Sequence, residues 1–167
     1  MHSSGSNSGF NIRLANAADI PALAEMINAA FSIETFLEGT RTDSDRLTSS
    51  MRKGEIFLAE ASRDSGGRVL ASVYTELRAD HGYMGMLAVA PDLQGSGLAR
   101  RLVLAAEDHF RRHGCKAVDI SVLSLRPELL PIYRRFGFVE TGTEEFGFAR
   151  TFRDGAESHC ILMSKPL

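Results

Sequence analysis

Residues Met86–Val103 read MLAVAPDLQGSGLARRLV, an apolar run, a proline turn, a glycine-bearing loop and the start of an amphipathic helix. The run extends back to Tyr83 and is apolar throughout Tyr83–Val89, which predicts a central strand buried on both faces. From Leu98 to Arg112, the apolar positions Leu98, Leu102, Ala105, Ala106 and Phe110 form one stripe with the arginines turned away, the strongest helical pattern in the chain. Between strand and helix, Gln94–Ala99 (QGSGLA) has the layout that aims backbone N–H groups and the positive helix end at an anion. Glycine suits such a loop because a Cβ would block close approach of the backbone to a phosphate. A plain strand-to-helix turn could also contain two glycines. The dinucleotide fingerprint fails because its third glycine would fall on Arg100, and the P-loop fails for want of Gly-Lys-Ser/Thr.

Working outward, Asn11–Ala15 alternates like a short strand, and Asp19 can cap a helix carrying Ile20, Leu23, Ala24, Ile27 and Phe31 at helical spacing. Ser32–Ser50 is polar and reads as a loop entering a second helix around Leu47 and Met51. Glu55–Ala61 and Val69–Leu77 are strand-like and flank the turn-rich Ser62–Arg68, an antiparallel hairpin, with a second turn over Arg78–Gly82. Downstream, Ala117–Leu123 alternates with Val118, Ile120 and Val122 on one face. Pro127–Phe136 predicts a short helix stopped by Gly137, and Phe138–Phe146 and Glu157–Lys165 close the chain as strands around a Gly- and Arg-rich loop. The order β-α-α-β-β-β-α-β-α-β-β predicts an α/β fold, a mixed α+β sheet with helices on both faces.

At 167 residues, 44% hydrophobic and 24% charged, the composition is that of one globular domain. Residues 1–9 (MHSSGSNSG) have almost nothing to bury and read as an appended stretch, leaving 10–167 as the single domain. A net charge of −2 supplies no global field toward nucleic acid or anionic membranes. Neither a membrane-length apolar run nor a secretion-signal layout is present, and Cys115 and Cys160 are too few for a disulfide framework. A soluble, cytoplasmic protein is expected. His109, His113 and Cys115 superficially suggest a metal site, but arginines and Phe110 separate them and no carboxylate base follows the first histidine, so no metal is expected. Ser96 lacks a nucleophile-elbow context.

The central stretch resembles the GNAT superfamily of N-acetyltransferases, whose signature Gln/Arg-x-x-Gly-x-Gly/Ala matches Gln94, Gly97 and Ala99 after an apolar strand and a Pro91 turn. A second match is ISVLSLRPELLPIYRRFGF, Ile120–Phe138, with Tyr-x-x-x-Gly-Phe supplied by Tyr133, Gly137 and Phe138. Arg126 and Leu129 stand where that family often has Asn and Ala.

The resemblance implies a GNAT-like fold and acetyl transfer from acetyl-CoA to a primary amine, small molecule or peptide, by direct attack in a ternary complex. It assigns Leu87, Ala88 and Val89 to the pantetheine arm, with Arg126 beside it. Gln94, Gly95, Ser96, Gly97, Leu98 and Ala99 would hold the pyrophosphate, with Arg100 adding charge or merely solvated. Tyr133 would be the acid for the departing thiolate. Tyr83 occupies the position where some members carry a catalytic Glu and would face the acceptor; Glu76, Asp119 or a water chain would then serve as base. Glu34 and Glu38, with Asp43 and Asp45, would draw in a cationic amine or form a solvated loop. A homodimer is compatible with the resemblance. The rival reading is a non-catalytic acyl-CoA-binding regulatory module.

Overall fold

The computed structural model describes residues 9–147 and 150–167, so the reading of residues 1–9 falls, except at Gly9, outside the described residues. Strands β1 (Phe10–Leu14), β2 (Glu55–Ala61), β3 (Val69–Arg78), β4 (His81–Val89), β5 (Ala117–Leu123), β6 (Val139–Glu145) and β7 (His159–Pro166) form one sheet in the order β1-β2-β3-β4-β5-β7-β6. The β4–β5 ladder is parallel and the other ladders are antiparallel. Helices α1 (Ile20–Ala30), α2 (Ser44–Lys53), α3 (Leu98–Arg112) and α4 (Leu129–Arg135) complete the expected element order. None of the described helices is long and apolar enough to cross a membrane.

The two helical faces follow from the two hydrophobic patterns. Leu23 and Ile27 of α1 and Leu47 of α2 pack on Ile56, Leu58 and Tyr74 of the sheet. Leu102, Ala106 and Phe110 of α3 cover the opposite face with Val118, Ile120 and Phe138, and α4 joins them through Leu129, Leu130 and Tyr133. Strand β5 buries Val118, Ile120 and Val122 and leaves the intervening residues half-buried, as period-2 alternation requires. The α2 N-terminus is capped by the Asp43 carboxylate, which accepts from the Arg46 N–H at 2.9 Å.

Two local departures from the sequence reading shape the site. The β3–β4 turn is tighter than Arg78–Gly82, because both strands run on and leave Ala79 and Asp80 between them, Ala79 with φ of 54°. Gly82 looks like a turn glycine but sits in β4, where the Phe110 ring lies flat on the backbone; a Cβ there would fall 2.4 Å from ring carbons. Gly82→Ala should therefore destabilise the domain by about 1–3 kcal/mol through overpacking, read as a lower denaturation midpoint at unchanged slope.

The second departure is a β-bulge. Tyr74 pairs with Gly85 and Ser72 with Ala88, so Met86 and Leu87 together oppose Val73, and Met86 takes a left-handed φ of 48°. The extra residue resets the alternation: Met84 and Leu87 pack toward α3, whereas Met86 and Ala88 pack toward α1. This explains the unbroken apolar run of β4. Its pairing with β5 stops after His81–Ala117, Gly82–Val118 and Tyr83–Asp119, and beyond that point the two strands part.

Candidate functional site

The parting of β4 from β5 opens a cleft of about 430 Å³ whose walls include Leu87, Ala88 and Val89 of β4, Ser121 and Val122 of β5, and Tyr133 of α4. Its chemistry begins with backbone. The Ala90 N–H donates to the Leu70 carbonyl at 2.8 Å, so alternation along the strand turns the N–H and C=O groups of Val89 and Leu87 to the opposite edge, the one β5 has left. An edge that has lost its partner strand suits an extended ligand carrying amides.

At one end of the cleft lies the N-terminus of α3. Gly95 and Gly97 adopt φ of 81° and 87°, and a Cβ built on either would meet nothing within 4 Å. Gly97 is the N-cap and has no side chain to satisfy the helix start. The first helical bond runs from Arg101 N–H to the Gly97 carbonyl, so the N–H groups of Leu98, Ala99 and Arg100 have no intrahelical acceptor. Ser96 differs, because its N–H already donates to the Leu93 carbonyl at 3.2 Å. Gln94, Gly95 and Ala99 line the cleft, Leu98 is buried in the core, and Arg100 is exposed in the first helical turn. Open space over two left-handed glycines, under a helix end that no side chain caps, fits a pyrophosphate.

Tyr133 projects from α4 with its ring edge-on to Phe136 and Phe138, centroids 6.2 and 5.8 Å away. Among the described residues its hydroxyl has no hydrogen-bond partner. Burial pushes the phenol up to about 12, so it stays protonated at neutral pH and can donate into the cleft.

Three loops meet at another part of the cleft. Leu37 bridges to Phe152, the Glu38 N–H donates to the Thr151 carbonyl, and the Arg153 N–H donates to the Phe36 carbonyl; together these fasten the α1–α2 loop to the β6–β7 loop. Glu34, 7% exposed, accepts from Arg126 Nη1 at 3.0 Å and Arg150 Nη1 at 3.4 Å. Arg126 also donates to Glu128 at 2.6 Å, and Arg150 donates to the carbonyls of Glu38 and Gly39. Arg41 lies over the Phe31 ring at 5.0 Å and lines the same space.

The acidic residues expected to gather here are dispersed. Glu34 alone of that group lines the cleft, and its charge is shared by two guanidiniums. The Glu38 carboxylate accepts from the Thr151 hydroxyl, Asp43 caps α2, and Asp45 lies exposed in the first turn of that helix. Tyr83 does not line the cleft, although its hydroxyl lies 3.0 Å from where a Gly85 Cβ would stand, and Gly85 does line it. Arg78 stacks on the Tyr83 ring at 3.8 Å.

Glu76 lies outside the cleft, holding Arg78 at 3.0 Å and the Tyr74 hydroxyl at 2.6 Å. The Arg78 guanidinium hydrogen-bonded to it holds its carboxyl below the usual carboxylate range, which weakens it as a base. Asp119 is likewise engaged, accepting from Ser164 at 2.7 Å and facing His81 Nδ1 at 2.7 Å. His109 packs against Phe57 and His113, and no cluster of three or more metal-capable side chains occurs among the described residues. Sequence reading missed Arg41 and Arg150, for which polar loop sequence carries no periodic signal.

Residues 20–138 match the family model described as Acetyltransferase (GNAT) family. The chain is 29% identical over 135 residues to the mycothiol acetyltransferase of Saccharopolyspora erythraea, a match covering 77% of this chain and 43% of that protein. Against the mycothiol acetyltransferase of Pseudarthrobacter chlorophenolicus it is 35% identical over 81 residues, 45% of this chain and 25% of that protein. The matched region thus spans less than half the length of these curated relatives. Among solved structures, a ribosomal-protein-alanine N-acetyltransferase from Brucella melitensis superposes with a TM-score of 0.74 at 20% identity, covering 94% of this chain and 99% of that one. The Salmonella typhimurium protein yncA, solved with its cofactor acetyl-CoA, gives 0.72 at 22% identity over 95% and 94%. At these identities the superpositions establish a shared fold.

Proposed function

Because the chain belongs to the acetyltransferase (GNAT) family, we propose that it transfers the acetyl group of acetyl-CoA to a primary amine by direct attack within a ternary complex. One observation supports this reading above the rest. A single cleft carries an uncapped glycine-lined helix start, a released strand edge and a protonated phenol with no hydrogen-bond partner among the described residues.

Each part has a role in that reaction. The amides of Gly95 and Ala99, with the neighbouring helix-start N–H groups, bind pyrophosphate, and Leu87 and Val89 hold the pantetheine amides in strand-like pairing. The same β4 edge presents N–H donors to the acetyl carbonyl as negative charge develops on its oxygen. The amine nitrogen bonds to the carbonyl carbon while the carbon–sulfur bond breaks. Tyr133 gives its proton to the departing sulfur and is reprotonated by the proton the amine releases, passed through water in the cleft. The Arg78-bound carboxylate of Glu76 takes no part in this path.

The test begins with calorimetric titration of acetyl-CoA and continues with thiol release in the presence of an amine panel. Tight binding with turnover supports the reading; binding without turnover on any amine would instead indicate a non-catalytic acyl-CoA module. The attacking amine must be neutral, so kcat/KM should rise with pH toward the acceptor's own pKa, near ~10.4 for a lysine-like amine. Glu76→Gln should leave that ascending limb in place. A limb steepened or displaced in this variant would restore Glu76 as the base.

A further inference from the structure

The charged side chains at the acetyl-receiving end do not suit a cationic pocket. Those lining the cleft are Arg41, Arg126 and Arg150 against Glu34 and Glu128. A contiguous cavity of about 360 Å³ beneath the α1–α2 loop shares Glu34, Arg41 and Arg150 and adds Arg153. Across both spaces four guanidiniums face two carboxylates, in a chain whose net charge is −2. Glu34 is already divided between Arg126 and Arg150, and Glu128, more exposed, is held by Arg126.

Arg41 joins the two spaces. Its side chain is half-buried, with the guanidinium carbon 5.0 Å from the centroid of the Phe31 ring. Burial lowers its pKa, Arg150 and Arg46 push in the same direction, and Glu34 opposes them; its positive charge is thus disfavoured by these surroundings. An anion arriving beside it would reverse that balance, and a planar guanidinium receives a carboxylate through two parallel hydrogen bonds. A polyamine would bring further positive charge to a place that already holds an excess of it.

We propose that the amine acceptor carries a carboxylate, which Arg41 receives with Arg150 and Arg126 contributing the surrounding positive field. The inference rests on the acetyltransferase reading and narrows its substrate class to amino-acid-like amines. It also sets orientation: the carboxylate end is held under the α1–α2 loop, and the amine end points back toward Tyr133 and the β4 edge.

The experiment compares acceptors with and without that charge, each kcat/KM expressed per neutral amine from the acceptor's own amine pKa. L-α-amino acids, β-alanine and γ-aminobutyrate are each assayed against the corresponding carboxamide, with spermidine as the polycationic control. The best acid should exceed its amide by at least ~10-fold in kcat/KM, the scale of a charge-assisted hydrogen bond. Arg41→Gln should bring the ratio close to one, and Arg41→Lys should recover part of it. Parity of acids and amides, preference for spermidine, or an acid preference that survives Arg41→Gln overturns the proposal.

Should no amine turn over, the N-acetylated forms of the same acids and amides are titrated into the protein with and without CoA. Acids binding at least ~10-fold more tightly than amides, with the difference lost in Arg41→Gln, supports the proposal, and absence of that difference overturns it. Failure of acetyl-CoA to bind is read in its own titration and counts against the acetyltransferase reading alone.

Discussion

Replacing Gly97 by valine is expected to raise the dissociation constant for acetyl-CoA by at least ~100-fold, about 2.7 kcal/mol, in a protein that still folds. Two effects act together. Gly97 sits at φ of 87°, a conformation that costs an L-residue about 1–2 kcal/mol and a β-branched one more, so the loop relaxes away from the geometry that points its amides outward. Any Cβ that keeps the geometry projects into the open space above the loop, the space the proposed site gives to the pyrophosphate. Because nothing of the protein lies within 4 Å of that Cβ, the packing of α3 is spared. Far-ultraviolet circular dichroism should confirm the fold, and calorimetric titration reads the affinity. A folded Gly97→Val protein with wild-type affinity would refute the cofactor assignment.

Tyr133→Phe should lower kcat by about 100-fold, the lower end of general-acid contributions, while acetyl-CoA affinity changes little. The ring that packs edge-on to Phe136 and Phe138 is preserved, and only the hydroxyl is lost. Since that hydroxyl has no partner among the described residues, its removal leaves no buried group unsatisfied and stability should hold. The sign of the pH effect follows from the phenol's upward shift to about 12: the acid form persists across the neutral and mildly alkaline range, so loss of this acid should not limit wild-type turnover there. A variant with unchanged kcat on a chemistry-limited acceptor would make Tyr133 a packing residue and leave proton delivery to water.

Much of the fold was legible because its signals are local. The α3 stripe from Leu98 to Phe110 and the alternation of Val118, Ile120 and Val122 each state which face is buried, and the strand–glycine loop–helix order that carries the proposed anion site is read without tertiary information. The bulge at Met86 was not legible. Register is a property of two strands, and the apolar residues Met84, Met86, Leu87 and Val89 read the same whether β4 is continuous or kinked. The acceptor end failed in the opposite way. Glu34, Glu38, Asp43 and Asp45 are close in sequence and suggested a joint negative patch, but capping of α2 and the Thr151 bond draw two of them elsewhere. Arg41 and Arg150 are far apart in the chain and are brought to one cleft by the contacts that join their loops, among them the bridge between Leu37 and Phe152.

The split sheet behaves mechanically like two beams joined at one end and tied at the other. Three ladder pairs, from His81–Ala117 to Tyr83–Asp119, form the joint. The tie is Glu34, carried on the β1–β4 side of the gap and gripped by Arg126 and Arg150 from the other. The opening at that end is therefore held by this carboxylate together with the backbone bonds that fasten the α1–α2 loop to the β6–β7 loop, rather than by the sheet itself. Cutting the tie removes the counter-charge shared by two guanidiniums, each with under 15% of its side chain exposed, while Glu128 stays on Arg126, so the loss falls short of the about 3–5 kcal/mol of a buried charge left wholly unpaired. Under the proposed function, a position that touches neither sulfur nor amine thus contributes to the spacing between the two reactants.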